Sequence, residues 1–291
     1  VRQIKLRDFP KSRAVAWLFF FTVLSAISSE GIQLGESRQL PMPLPGVRGI
    51  SLAFGAGGEL VELTGPISRL LVWNETEAFA GEFQSSQDHD VSPVDICSNG
   101  GFGFLSVDPV YPSIIQFGRR GELFPPIPLD ARNLIEPVSI CVGDAGRVYL
   151  LNRLDGDIWR VEKDGKSSPL MIPTPLRVWK ENSQINFDYP RDLIWILKGA
   201  NLYSTSTGGE ARQTISLPLK STTDFALDDE LIWVIGDGLA TVDSKTGQAV
   251  MVWPSDSLSA WGASRPVSIA VHSHRLALLC DDGRIVIKDL L

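Results

Sequence analysis

The sequence predicts an all-β chain folded as a ring of six repeated units, and three observations predict it. Composition comes first: 44% of the 291 residues are hydrophobic, 21% are charged, and 26 Gly and 19 Pro punctuate them. That is enough apolar matter for a core and enough turn formers for many short strands. Second, one short motif returns along the chain as Pro93-Val94-Asp95-Ile96, Pro137-Val138-Ser139-Ile140 and Pro266-Val267-Ser268-Ile269. Third, a large apolar residue heads each copy of a longer pattern, at Leu52, Ile96, Ile140, Phe187, Phe225 and Ile269, with spacings of 44, 44, 47, 38 and 44 residues. A period near 40–45 residues with several β-type runs per period is the signature of a propeller.

The elements follow in chain order. Residues 1–13 carry Arg2, Lys5, Arg7, Lys11 and Arg13 against Asp8, and an apolar stretch follows over residues 14–27. A basic start, a short apolar middle and small residues at the end predict a signal peptide, or an N-terminal membrane anchor, over residues 1–28. At about 1.5 Å per residue the apolar stretch is short for a bilayer span of about 20 residues. Residues 29–291 are then the propeller domain, which is expected to be exported to a periplasmic or extracellular space. The only predicted route to a membrane is an uncleaved segment 14–28.

Within the body, copy three shows the unit most clearly. Residues 138–142, 148–151, 157–161 and 169–172 are β-type runs separated by Gly143-Asp144-Ala145-Gly146, Leu154-Asp155-Gly156 and Lys163-Asp164-Gly165. Such turns between short apolar runs read as hairpins. Copies four and five share nearly one hairpin strand, Asp192-Leu-Ile-Trp-Ile-Leu197 and Glu230-Leu-Ile-Trp-Val-Ile235. The last copy has three strands only. Residues 36–44 resemble the fourth strand of copy two, residues 121–129, so they are expected to complete the last blade and close the ring. Closure removes a free sheet edge. The prediction is therefore an all-β, six-bladed β-propeller with four-stranded blades, preceded by an N-terminal signal or anchor helix.

Charge narrows the partners. The chain carries −7, and because residues 1–28 hold five basic residues and one acidic one, residues 29–291 carry −11. An acidic body is the wrong sign for nucleic acid. Cys97, Cys141 and Cys280 cannot staple a domain of this size. Cys97 and Cys141 occupy equivalent inner-strand positions, so all three are expected to be buried free thiols.

The copies resemble NHL-type repeats and their TolB-like and lactonase-like relatives among six-bladed propellers. Copy two, from Pro93 to Arg119-Arg120-Gly121, and copy three, from Pro137 to Gly165, carry the resemblance best; copies one, four and five lack the leading Pro. The resemblance implies the fold and leaves function open, because this fold hosts binders, scaffolds and enzymes.

Two sets of candidate residues follow. The position before each anchor is small and polar: Ser51, Asp95, Ser139, Asn186, Asp224 and Ser268. These should line the channel, either because crowded inner strands demand small residues or because Asp95, Asn186 and Asp224 hold a metal. Ca²⁺ suits such oxygen ligands, and the lactonase-like relatives imply one. No cofactor is otherwise predicted. The second set lies on the loops entering the inner strands: Arg48, His89, Arg132, Glu136, Arg177, Trp179, Lys180, Trp261 and Arg265. Arg and Trp anchor interfaces, so this face is expected to receive a protein partner or a small ligand. Asp88-His89-Asp90 has no nucleophile motif beside it, and His272-Ser273-His274 has too few ligands for zinc.

No coherent catalytic set emerges. The expected function is a non-catalytic binding or scaffold propeller. The alternatives are a Ca²⁺-dependent lactonase-like or sugar-oxidising enzyme and an accessory subunit of an envelope complex.

Overall fold

The computed structural model describes residues 32–42, 47–65, 69–84, 92–130, 136–173 and 183–291. The predicted signal or anchor over residues 1–28 lies outside them. Six antiparallel sheets of four strands each form the body, as predicted. Five blades take their strands consecutively from the chain. Their inner strands are Arg48–Phe54, Asp95–Ser98, Pro137–Val142, Gln184–Asp188 and Thr222–Asp228. The sixth has inner strand Pro266–His272, then Arg275–Cys280 and Ile285–Leu290. All six anchors fall on inner strands.

The sixth blade borrows its outer strand from the beginning of the body. Leu34–Gln39 pairs antiparallel with Ile285–Leu290, with Leu34 opposite Leu290 and Gln39 opposite Val286. Closure occurs as predicted, but the strand lies over 34–39 rather than 36–44. Pro41 follows soon after, and a proline has no N–H to give a ladder. Arg38 fastens this edge by donating to Asp289 at 2.8 Å and to Glu77 of the first blade.

Burial explains the two kinds of strand pattern. The second strands of blades four and five, Leu193–Lys198 and Leu231–Gly236, are buried at every interior position. Both their faces are covered by neighbouring blades, so they read as unbroken apolar runs. Outer strands such as Ala211–Ser216 are exposed at most positions and carry polar residues. The cores accordingly lie between blades. Tyr149 and Leu151 of blade three pack with Phe187 and Ile194 of blade four, and Trp195 of blade four packs with Phe225 and Val234 of blade five. The three cysteines are free, and burial pushes their thiols upward, which keeps them protonated and unreactive.

A glycine turn sets how closely adjacent blades stack. Gly209, between the third and outer strands of blade four, has φ +89°, and a Cβ there would lie 2.1 Å from the Leu170 carbonyl oxygen of blade three. Only a residue without a side chain fits both demands. The Asp-Gly and Gly-Gly turns of the repeat are thus interblade contacts as well as hairpin formers.

At the seam between blades six and one, Glu62 is 3% exposed. It lines a cavity of about 10 Å³ with Trp73, Leu40, Met42 and Ile285. Burial is the force on its carboxyl, and its pKa is pushed up to about 8.

Candidate functional site

The predicted polar ring lines the channel and is a hydrogen-bonded belt. Asp95 Oδ1 accepts from Ser51 Oγ at 2.9 Å and from Ile96 N at 2.9 Å. Its Oδ2 accepts from Ser139 Oγ at 2.7 Å and Ile140 N at 3.0 Å. Ser139 Oγ in turn accepts from Ile185 N at 3.0 Å. On the other side of the axis, Asp224 Oδ2 accepts from Ser268 Oγ at 2.7 Å and Ile269 N at 3.0 Å, and Ser268 Oγ accepts from Leu52 N at 3.0 Å. The belt therefore crosses five of the six blade junctions among the described residues. At the sixth, between blades four and five, Asn186 Oδ1 accepts from the next amide of its own strand, Phe187 N, at 2.8 Å.

Ser51, Asp95, Asn186 and Asp224 line a cavity of about 50 Å³, together with Gln184 and Cys97. Burial is the main force on both carboxyls. It raises Asp95 against four hydrogen bonds, and it pushes Asp224 up to about 7, with the Asp95 charge adding to the effect. Asp95, Asn186 and Asp224 are thus brought to one cavity, as the sequence suggested. Among the described residues no three His, Cys, Asp or Glu side chains are grouped for a metal.

The loop-face candidates are not brought together into one site. Arg132, Arg177 and Trp179, with His89 and Lys180, lie outside the described residues. Arg48 opens its inner strand and is exposed. Glu136 is engaged by the Arg153 guanidinium, and its backbone N–H donates to Asn152 Oδ1 at 3.0 Å. Trp261 is half-buried: it meets Trp253 edge-on at 6.1 Å, and Lys288 Nζ sits 5.0 Å over its ring. Arg265 is 84% exposed in its side chain and reaches Asp281 at 3.1 Å.

The opposite ends of the inner strands build a recess that the sequence reading passed over. In blades four, five and six the inner strand ends at Asp188, Asp228 and His272 respectively. With Tyr189, Asp229 and His274 these line a cavity of about 620 Å³. Asp188 is 4% exposed. Its Oδ2 accepts from Arg191 at 2.6 Å and Trp195 Nε1 at 3.1 Å, while Oδ1 is buried with no hydrogen-bond partner. Burial, with Asp229 beside it, raises the Asp228 carboxyl. His272 and His274 do not continue an extended strand. Ser273 and His274 take φ of +43° and +67°, and the His272 ring lies 5.8 Å from Phe54 and 3.1 Å from Ser273 Oγ. The signal that could have found this recess is an ionisable residue at the same strand-end position in three successive repeats.

No protein-family model matches the chain, and no curated protein matches it. Solved structures do. Virginiamycin B lyase from Staphylococcus aureus, in a catalytically inactive H270A form with quinupristin, superposes with a TM-score of 0.65 at 10% identity, over 89% of this chain and 100% of that one. A Bacteroides thetaiotaomicron protein of unknown function gives 0.66 at 9% identity, over 89% of this chain and 72% of that one. A chain of a nidogen/laminin complex gives 0.63 at 14% identity, over 82% and 96%. The likeness is one of fold. A lyase and a matrix-protein complex share it, and the NHL-type resemblance of the repeats stands with it. No helix among the described residues is long and apolar enough to cross a membrane.

Proposed function

We propose that this propeller is a non-catalytic binding module that receives a small cationic ligand in the recess over blades four to six. The observation that carries the reading is the gathering of Asp188, Asp228 and Asp229 on one recess, where the Arg191 guanidinium is taken up by Asp188 alone. Asp228 and Asp229 lie side by side there with no ion pair to a described residue, and an ammonium group supplies both hydrogens and the opposite charge. The volume of about 620 Å³ lies in the usual range of small-molecule sites. Isothermal titration with spermidine and agmatine, against glycerol as a neutral control, tests it. Saturable binding of an amine, weakened at least tenfold by Asp228→Asn with Asp229→Asn, is expected. Absence of saturable amine binding, or binding that this double variant leaves unchanged, overturns it.

A second reading places Ca²⁺ in the channel. It is favoured by one observation: Asp95 and Asp224 face a single 50 Å³ cavity with the side-chain amides of Gln184 and Asn186. Its test is thermal melting with Ca²⁺ and with a chelator. A Ca²⁺-dependent rise in Tm that Asp224→Asn abolishes supports it, and identical melting in both conditions sinks it.

A further inference from the structure

Exposed apolar side chains are concentrated on blade two. Of thirteen large hydrophobic residues exposed among the described ones, five belong to it: Phe102, Val110, Tyr111, Leu123 and Phe124. Phe102 is 83% exposed, at the tip of the turn Asn99-Gly100-Gly101-Phe102-Gly103. A soluble chain places so large an apolar group in water at a cost, and clusters of them mark interaction sites.

Phe102 stands at the rim of a groove of about 850 Å³ between blades two and three. Phe104, Phe117 and Phe124 line one side, and Val148 and Val161 line the other. The rim is charged in a particular way. Arg147 and Lys163 both line it, and Lys163 makes no ion pair or hydrogen bond with any described residue. The one acid lining it, Glu162, lies 3.2 Å from Arg160. On a body of charge −11, this groove has a cationic edge.

The outer strand beside the groove narrows the kind of ligand. It is Leu123–Pro128, and Pro125, Pro126 and Pro128 remove N–H donors from its edge. An extended peptide could not add to this sheet by backbone pairing. What enters must be held by side chains: an apolar body by the phenylalanines and valines, an anionic end by Arg147 and Lys163. The mouth is open, since a Cβ added at Gly100, Gly101 or Gly146 would meet nothing.

We propose that the groove between blades two and three binds an amphipathic monoanion, an apolar chain or ring system ending in a carboxylate. This site is separate from the recess over blades four to six and does not depend on it.

The test is isothermal titration of the whole chain with dodecanoate and with dodecylammonium, both below their micellar concentrations. Dodecanoate is expected to bind at one site, at least tenfold more tightly than dodecylammonium, the head groups being compared in the Asp228→Asn with Asp229→Asn background so that the ammonium has no second recess to enter. Lys163→Glu should weaken dodecanoate at least tenfold and remove the preference between head groups. Phe102→Ser should weaken both ligands. Both positions are exposed, so unchanged thermal melting of each variant is expected and is checked alongside. Asp228→Asn with Asp229→Asn, which disables the other recess, should leave dodecanoate binding intact. The proposal is overturned by absence of saturable dodecanoate binding, by equal affinity for the two head groups, or by indifference to both Lys163→Glu and Phe102→Ser.

Discussion

Ser139 Oγ donates to the Asp95 carboxylate at 2.7 Å across 44 residues, which is one full repeat. The bond joins blade two to blade three, and the same oxygen of Asp95 also accepts the Ile140 amide. A single buried carboxylate thus holds three successive inner strands, through Ser51 on one side and Ser139 on the other.

Asp95→Ala should therefore destabilise far more than an ordinary channel substitution. It leaves the Ser51 hydroxyl and two amides without their acceptor in a buried belt, while the Ser139 hydroxyl keeps Gln184 Oε1 at 2.7 Å. The expected loss is about 2–4 kcal/mol, read by urea unfolding, and Asp95→Asn should lose less. A variant as stable as the parent would show that the belt contributes nothing net.

Stability should fall as pH rises. Glu62 has its pKa raised to about 8 and Asp224 to about 7, each above its value in an unfolded chain. The folded state then keeps protons that the unfolded state releases. The contribution of each group is complete below pH 4, declines through neutrality and is gone above its folded pKa. Each adds a slope of up to about 1.4 kcal/mol per pH unit in its window. Urea unfolding at pH 5, 7 and 9 should show the decline, with Glu62→Gln removing most of what remains of it between pH 7 and 9. A flat profile for the parent would contradict both assignments.

Deleting residues 34–39 should lower Tm sharply and promote association, because it uncovers the edge of Ile285–Leu290. Arg38→Ala should cost only about 1 kcal/mol or less, since its side chain is 39% exposed and its ion pairs are screened. Comparable effects of the two changes, by calorimetry, would mean that the ion pairs and not the strand ladder close the ring.

Gly209→Ala should be among the more damaging single-methyl additions in the molecule. The left-handed backbone alone costs about 1–3 kcal/mol for a residue with a side chain. The Leu170 carbonyl oxygen at 2.1 Å requires blade three to move as well. Gly146→Ala, with φ +71° but open space around it, separates the two contributions. Equal losses would remove the interblade contact from the account.

The ring was legible because it is periodic. Anchors spaced 38 to 47 residues apart, Pro-Val-x-Ile starts and a missing last strand gave blade count and closure from residue identities alone. The polar position before each anchor was equally visible, yet its work was not. Its partners, Ile140, Ile185, Ile269 and Leu52, lie in the next blade, and only the folded ring brings them near. The covering of Trp261 was hidden for a related reason. Nothing local reveals that Trp253 and Lys288 cover it. The recess of Asp188, Asp228 and His272 takes one residue from each of three repeats, so no contiguous motif announces it.

The pairing of Leu34 with Leu290 has a consequence for the order of events during synthesis. A ribosome delivers the closing strand first and its partner some 250 residues later. Until then the nascent chain carries a strand with no sheet to join, and blade six exists only as a fragment. Earlier blades can stack as they emerge, but cooperative locking must wait until Ile285–Leu290 has emerged. Contacts this distant in sequence make the last step slow. A cell making this protein has reason to shield residues 34–39 through that wait.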